Sequence, residues 1–430
     1  MNYQETVEYL FNSTPVFEHV GAVAYKEGLA NTYELDKRFG SPHKQYKTIH
    51  VAGTNGKGSC SHTLAAILQS AGYKVGLYTS PHLVDFRERI RVNGVCVSEQ
   101  YVVDFVKQER SFFEQLHPSF FELTTAMAFK YFAEQHVDVA VIEVGLGGRL
   151  DCTNVITPVL SVITNIGLDH TQFLGNTLQQ IAAEKAGIIK ECIPVVIGER
   201  HTETDGVFQA KAQEKHAQIY FAEDKPIVQL IETRNDGTKV YHTDRYGTIA
   251  GELQGDYQCK NANTILQAIY CLNGFEIAAN DVQQGFACVV ELTSLKGRWQ
   301  VLSRRPLVVC DTGHNVDAWQ YLSKQIALQP RHKRIVFGMV DDKDICTVMS
   351  MLPADADYYF TQASSKRAIP AERVSAIGKK HGLRGKAFAT VAQAFRSACN
   401  DAAADDFIFI GGSSYVVADL LLLSNCTKNI

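Results

Sequence analysis

A chain of 430 residues, 46% apolar and 20% charged with a formal net charge of -4, has the balance of a globular protein of two or three domains and offers no basic surplus for a nucleic-acid partner. The start Met1-Asn2-Tyr3-Gln4-Glu5 lacks a basic and apolar leader, and no apolar run approaches the ~18 residues of a membrane span, so a soluble chain without a membrane partner is expected. The eleven cysteines stand singly with no CxxC pair, which reads as small buried hydrophobes in a reducing, cytoplasmic compartment.

Residues 1–47 read as a helical opening, with Val7, Tyr9, Leu10 and Phe11 early and Gly-Leu-Ala-Asn at Gly28 to Asn31, and show no chemistry. The stretch Gly53-Thr54-Asn55-Gly56-Lys57-Gly58-Ser59 follows a β-prone run, Thr48 to Ala52. It precedes a segment whose Cys60, Leu64, Ile67, Leu68 and Ala71 share a helical face. Strand, glycine turn and helix in that order make an anion cradle, because glycines let backbone N–H groups turn inward at the positive end of a helix dipole. Lys57 adds a point charge for polyphosphate, and the Ser59 hydroxyl is placed to reach magnesium. The spacing departs from GxxxxGK[ST], since two residues separate Gly53 from Gly56 and Gly58 intervenes before Ser59. An ordinary solvated turn is the alternative, and the flanking strand and helix argue against it.

Gly72 closes the helix, and Lys74 to Tyr78 is the next strand, running into Thr79-Ser80-Pro81-His82. Hydroxyls at such a strand end are candidates for a second metal or phosphate contact. Arg87-Glu88-Arg89-Ile90-Arg91 leads to the turn pair Asn93-Gly94, read as a hairpin or a loop, whose arginines either meet an anionic substrate or face water. Helical spacing follows at Val102, Phe105, Val106, Phe112 and Leu116, then from Phe120 to near Gln135. Val139 to Glu143 is a continuous apolar run that delivers an acid at its C-terminal edge, as a buried parallel strand does. Gly145, Gly147 and Gly148 then allow a tight loop before Arg149-Leu150-Asp151. Another strand, Val159 to Thr164, leads into Asn165 and Asp169-His170. Thr177 to Gln180 has capping-box spacing, and Lys185 shares the helix behind it. A lone histidine or helical lysine is usually structural or solvated, but both positions follow successive strand ends.

Pro194 to Gly198 continues the alternation, Ile227 to Leu253 turns β-rich around an Asn235-Asp236-Gly237 hairpin, and Asn261 to Leu272 is amphipathic helix. A boundary is expected near Ser294 to Gly297. Strands at Leu307 to Cys310, Ile335 to Gly338, Tyr358 to Thr361 and Phe407 to Ile410 then build a second doubly wound unit, with Asp311, Gly313, His314, Lys343 and Asp344 after its strand ends. The expected fold is α/β: a P-loop ATPase domain over 1–296, with a parallel-rich sheet and a small antiparallel excursion, and a Rossmann-like α/β domain over 297–430.

Taken together, Gly53 to Ser59, Thr79 to Leu83, Glu88-Arg89-Ile90, Glu143 to Asp151, Asp169-His170 and Glu184 to Ile188 resemble the folylpolyglutamate synthase/dihydrofolate synthase family of the Mur ligase superfamily. The Ser-Pro-His and Leu-Gly-Gly-Arg-Leu-Asp segments mark the folate branch. The resemblance implies catalysis in a cleft between an N-terminal ATPase domain and a C-terminal domain: ATP converts a carboxylate to an acyl phosphate, and the amine of L-glutamate displaces phosphate to form an amide. It implies dihydropteroate or reduced folates as acceptors, ATP as co-substrate, Mg2+ as cofactor with a monovalent cation left open, and a monomer. By matching position it places Gly53, Asn55, Gly56, Lys57, Gly58 and Ser59 on the phosphates, Ser59, Ser80, Glu143 and His170 on magnesium, and Asn261, Arg298, Asp311 and His314 on the nucleotide. Phe121, Glu122, Leu150 and Asp151 would face the pterin, and Lys185 matches a carbamylated lysine; Lys57, Glu143, His170 and Lys185 would carry catalysis. Two segments depart from the family pattern. Gly297-Arg298-Trp299-Gln300 has glutamine where the family has an acid, and Asp311-Thr312-Gly313-His314-Asn315 replaces Asp-Gly-Ala-His-Asn. A UDP-muramoyl-type Mur ligase and a non-catalytic nucleotide-binding regulator are the alternatives.

Overall fold

The computed structural model describes residues 1–13 and 28–426, which form two compact units. Residues 14–27 of the expected helical opening lie outside the described residues; on either side of them are helices Tyr3–Ser13 and Ala30–Arg38.

The first unit, Met1–Glu252 with Gln258–Leu295, is built on an eight-stranded sheet. Its strands are β1 (Lys47–Ala52), β2 (Val75–Tyr78), β3 (Ile90–Val92), β4 (Val95–Cys96), β5 (Val139–Glu143), β6 (Leu160–Ile163), β7 (Val195–Ile197) and β8 (Ile219–Phe221), in the order β4-β3-β2-β5-β1-β6-β7-β8. From β2 to β8 all neighbours are parallel; β3 and β4 add antiparallel at the edge. Asn93 and Gly94, at φ 46° and 75°, make the turn between β3 and β4, so the arginine-rich stretch resolves as a hairpin with the left-handed dihedrals its Asn-Gly pair suits.

Burial on both faces explains the continuous apolar runs. In β5, Val139 and Val141 enter one core cluster with Leu64, Ile67 and Leu68 of helix Lys57–Ser70, while Ala140 and Ile142 enter another with Phe129 and Phe132 of helix Phe120–Glu134. The period of two thus sends alternate residues to helices on opposite faces. Helix Leu178–Ala186 starts at the predicted capping box, with Thr177 and Gln180 exchanging side-chain and backbone bonds. The antiparallel excursion is a three-stranded sheet, β9 (Gln229–Thr233), β10 (Lys239–Thr243) and β11 (Gly247–Gly251), ordered β11-β10-β9.

The second unit joins Leu253–Tyr257 to the chain from Lys296 onward, a return that a single break near 294–297 does not anticipate. Hydrogen bonds tie the short piece in: Asp256 N–H donates to Gln325 Oε1 (3.0 Å), Gln325 Nε2 donates to Gln254 O (3.5 Å) and the Tyr257 hydroxyl donates to Asp311 Oδ2 (2.7 Å). Its six-stranded sheet runs β12-β13-β17-β14-β15-β16, from β12 (Gln300–Arg304), β13 (Leu307–Asp311), β14 (Lys333–Phe337), β15 (Ala356–Thr361), β16 (Arg384–Phe388) and β17 (Phe407–Gly411). Only the edge strand β12 is antiparallel. Trp319, Phe337, Phe360 and Phe409 fill the core beneath it. Among the described residues no helix is long and apolar enough to cross a membrane.

Candidate active site

Four adjacent parallel strands, β2, β5, β1 and β6, end on one edge of the first sheet, the edge at which open α/β sheets receive ligands. Each is followed by predicted residues: β2 by Ser80, β1 by the glycine loop, and β6 by Asn165 and His170, while β5 ends on Glu143 itself.

The loop owes its shape to its glycines and to the chain after β6. Gly53 and Gly56 adopt φ of 146° and 85°, and Gly56 caps helix Lys57–Ser70. A Cβ on Gly53 would lie 1.8 Å from Thr164 Oγ1, and one on Gly56 would lie 2.4 Å from Asn261 Oδ1. Thr164 Oγ1 donates to Asn55 O (2.6 Å), Thr54 N–H donates to Asn165 O (2.9 Å) and Asn55 N–H donates to Asn165 Oδ1 (2.8 Å). Lys57 Nζ folds over the loop onto the carbonyls of Gly53 (3.1 Å) and Thr54 (3.2 Å). Ser59 is buried, and its Oγ accepts from Gln258 Nε2 (3.1 Å), whose Oε1 accepts from Asn261 Nδ2 (2.8 Å). Asn261 therefore sits against the glycine loop. Sequence reading missed Gln258 and Thr164, because a buried amide and a strand-end threonine carry no spacing signature. Gly56→Ala should cost about 1–3 kcal/mol through positive φ and the Asn261 clash, and weaken ATP at least roughly tenfold, read by thermal unfolding and nucleotide titration.

Glu143 is 4% exposed at the end of β5, beside Val51 of β1. His170 takes a left-handed φ of 50°; its N–H donates to Asp169 Oδ1 (2.8 Å), and its Nε2 lies 3.9 Å from the same oxygen. Lys185, which a surface helix would expose, is only 4% exposed. Burial, then the charge of Lys57, push its pKa down to about 7 against Asp169, Asp151 and Glu184. Among the described residues no three His, Cys, Asp or Glu side chains gather as a metal site. The donors at this edge, two hydroxyls, a carboxylate and an imidazole on separate strand ends, suit an ion whose shell is completed by phosphate oxygens and water, as that of Mg2+ usually is.

The predicted pterin-facing residues divide. The Phe121 ring lies against Gly145, where a Cβ would meet it at 2.4 Å, and 5.9 Å from the Tyr78 ring; Leu150 is half-buried. Glu122 is buried in a capping box, its Oε2 accepting from Ser119 N–H (2.6 Å). Asp151 is buried with three donors on its carboxylate: Leu146 N–H (2.8 Å), Thr153 N–H (3.0 Å) and the Thr153 hydroxyl. Burial raises its pKa and these donors oppose the rise. Both acids thus brace the local backbone.

In the second unit Asp311, at the end of β13, is buried and accepts from the Tyr257 hydroxyl (2.7 Å), Trp299 N–H (2.7 Å) and Gly313 N–H (2.8 Å). Burial raises its pKa, opposed first by the charge of Arg298. The two departures from the family pattern fit this network. Gln300 Oε1 accepts from Gly297 N–H (2.8 Å), a task a carboxylate would share, and the Thr312 hydroxyl contacts the Arg298 guanidinium. His314 Nδ1 is 3.1 Å from Thr312 O. If Arg298 contacts nucleotide, Thr312→Val should raise KM for ATP roughly fivefold, the value of one hydrogen bond, with kcat unchanged in steady-state assays.

The family model of the Mur ligase middle domain matches residues 51–269, and that of the Mur ligase glutamate ligase domain matches residues 297–414. Strand-end donors around a glycine loop and this pair of domains make the chain an ATP-dependent ligase of the Mur type. The dihydrofolate synthase/folylpolyglutamate synthase of Escherichia coli (strain K12) is 36% identical over 374 residues, covering 86% of this chain and 85% of that protein. Among solved structures, E. coli FolC in complex with DHPP and ADP matches with a TM-score of 0.85 and 32% identity over 100% of this chain and 99% of that one. The bifunctional folylpolyglutamate synthase/dihydrofolate synthase of Yersinia pestis complexed with AMPPNP and Mn ion matches with a TM-score of 0.83 and 29% identity over 99% and 98%. The chain belongs to the folylpolyglutamate synthase/dihydrofolate synthase family.

Proposed function

We propose that this ligase adds L-glutamate to dihydropteroate and to the γ-carboxyl of reduced folates, with ATP as co-substrate, as a cytoplasmic monomer. The observation that carries the reading is the gathering of the glycine loop, Glu143 and the residues after β6 at adjacent strand ends. Residues 1–296 would hold the phosphates and the acceptor, and residues 297–430 would contact the nucleotide through Arg298, Asp311 and His314, joined by Asn261 from the first domain.

A carboxylate is a poor electrophile, so the protein must first help it become an acyl phosphate. One carboxylate oxygen attacks the γ-phosphorus, ADP leaves, and the amine of glutamate then adds to the acyl carbon and expels phosphate. In this sequence Lys57 leaves its two carbonyl partners for the phosphates, while the loop N–H groups fix the γ-phosphate in line. Ser59, Ser80, Glu143 and His170 would hold Mg2+, consistent with the divalent ion and nucleotide of the Yersinia relative. The ion would neutralise charge on the phosphates as it builds. Lys185, as its carbamate, would present an anion where an ammonium would repel Lys57: its Nζ adds to carbon dioxide and gives up one proton.

Purified protein should release phosphate when ATP, Mg2+, L-glutamate and dihydropteroate or tetrahydrofolate are all present. Release with a UDP-muramoyl acceptor in place of the pteroyl substrate would favour the cell-wall reading, and ATP binding without turnover on any acceptor would favour the regulator.

A further inference from the structure

A chain of hydrogen bonds runs beneath the loop from Gly145 to Asp151. His50, on β1 ahead of the phosphate loop, is fully buried, and its Nε2 lies 2.9 Å from Thr153 Oγ1. Thr153 Oγ1 also bonds Asp151 Oδ1, and Asp151 Oδ2 receives the N–H of Leu146 (2.8 Å). A hydroxyl has one proton, and Asp151 in its ionised form, which its three donors favour, can only accept. With Asp151 ionised, the Thr153 proton is committed to it, and Thr153 accepts from His50. His50 is thus the neutral Nε2–H tautomer, and burial holds its pKa down at about 3, so it stays neutral across the working range. Its buried Nδ1 has no hydrogen-bond partner among the described residues, so the ring's one bond is the bond to Thr153.

The loop this chain braces is glycine-rich, with Gly147 at φ 68°, and has little intrinsic preference for one shape. We propose that His50 is a positioning residue for the acceptor: through Thr153 and Asp151 it fixes the backbone of Gly145 to Leu150 and thereby sets affinity for the pteroyl substrate while leaving that for ATP unchanged. The proposal rests on reading that loop as the pteroyl side of the site.

The test compares KM for dihydropteroate, KM for ATP and kcat in wild type, His50→Leu and His50→Gln, with Thr153→Val and Thr153→Ser as a second pair. His50→Leu and Thr153→Val should raise KM for dihydropteroate roughly tenfold with KM for ATP and kcat within about twofold, the size of one lost buried hydrogen bond. His50→Gln, whose amide offers a donor, and Thr153→Ser, which keeps the hydroxyl, should recover most of that affinity. Equal shifts in both KM values, a change in kcat alone, or no recovery in the conservative variants would overturn the positioning role. If His50→Leu does not fold, the threonine pair decides by the same criterion. Wild type that fails to use dihydropteroate would refute the pteroyl reading itself, whereas active wild type with unselective variants refutes only the role of His50.

Discussion

Lys185→Ala is expected to lose about 10²–10³ of kcat, the size of effect seen when a preorganised charge is removed from an active site, and to regain part of it when short carboxylic acids are supplied. Lys185 is buried, close enough to Lys57 that the two like charges oppose each other, and its ammonium is already disfavoured. A neutral amine is the form that adds carbon dioxide, so the fraction open to carbamylation grows as pH rises through about 7. Activity limited by carbamylation should therefore climb across that range and respond to added bicarbonate. Stability carries the same sign. The unfolded chain, with lysine near 10.5, binds a proton that the folded chain has released between about 7 and 10.5, so stability rises with pH over that window. Full activity in unrescued Lys185→Ala would remove the residue from the mechanism. Loss without any rescue would leave it a role other than that of an anion.

Glu143→Gln is the second large effect. The substitution keeps the volume of a side chain that is almost wholly buried at the strand end and removes only its charge, so the fold should persist. If Glu143 holds the metal, kcat should fall by about 10²–10³ and a titration with Mn2+ in the presence of a non-hydrolysable nucleotide should show weaker metal binding. Unchanged metal affinity with unchanged kcat would assign the carboxylate to packing alone.

Much of the fold was legible because its determinants are local. The parallel strands announce themselves as unbroken apolar runs, Asn93-Gly94 dictates its turn, and Thr177 and Gln180 cap their helix by spacing alone. Glycines placed Gly53 to Ser59, and strand ends placed Glu143 and His170. Long-range partners left no trace: Gln258 reaches Ser59 across 199 residues, and His50 reaches Thr153 across 103. The return of Leu253–Tyr257 to the second unit depends on the Tyr257 hydroxyl finding Asp311, which no periodicity records. Glu122 and Asp151 show another feature that the motif does not carry. A motif match places a carboxylate near the acceptor but cannot say that its oxygens are already engaged by backbone donors.

The central claim is activation of the acceptor carboxylate by ATP before glutamate attacks, and oxygen transfer tests it most directly. Dihydropteroate labelled with heavy oxygen in its carboxylate should pass one labelled oxygen to the released phosphate, in step with a product heavier by one glutamyl residue. Glutamylated product accompanied by wholly unlabelled phosphate would contradict the acyl-phosphate route.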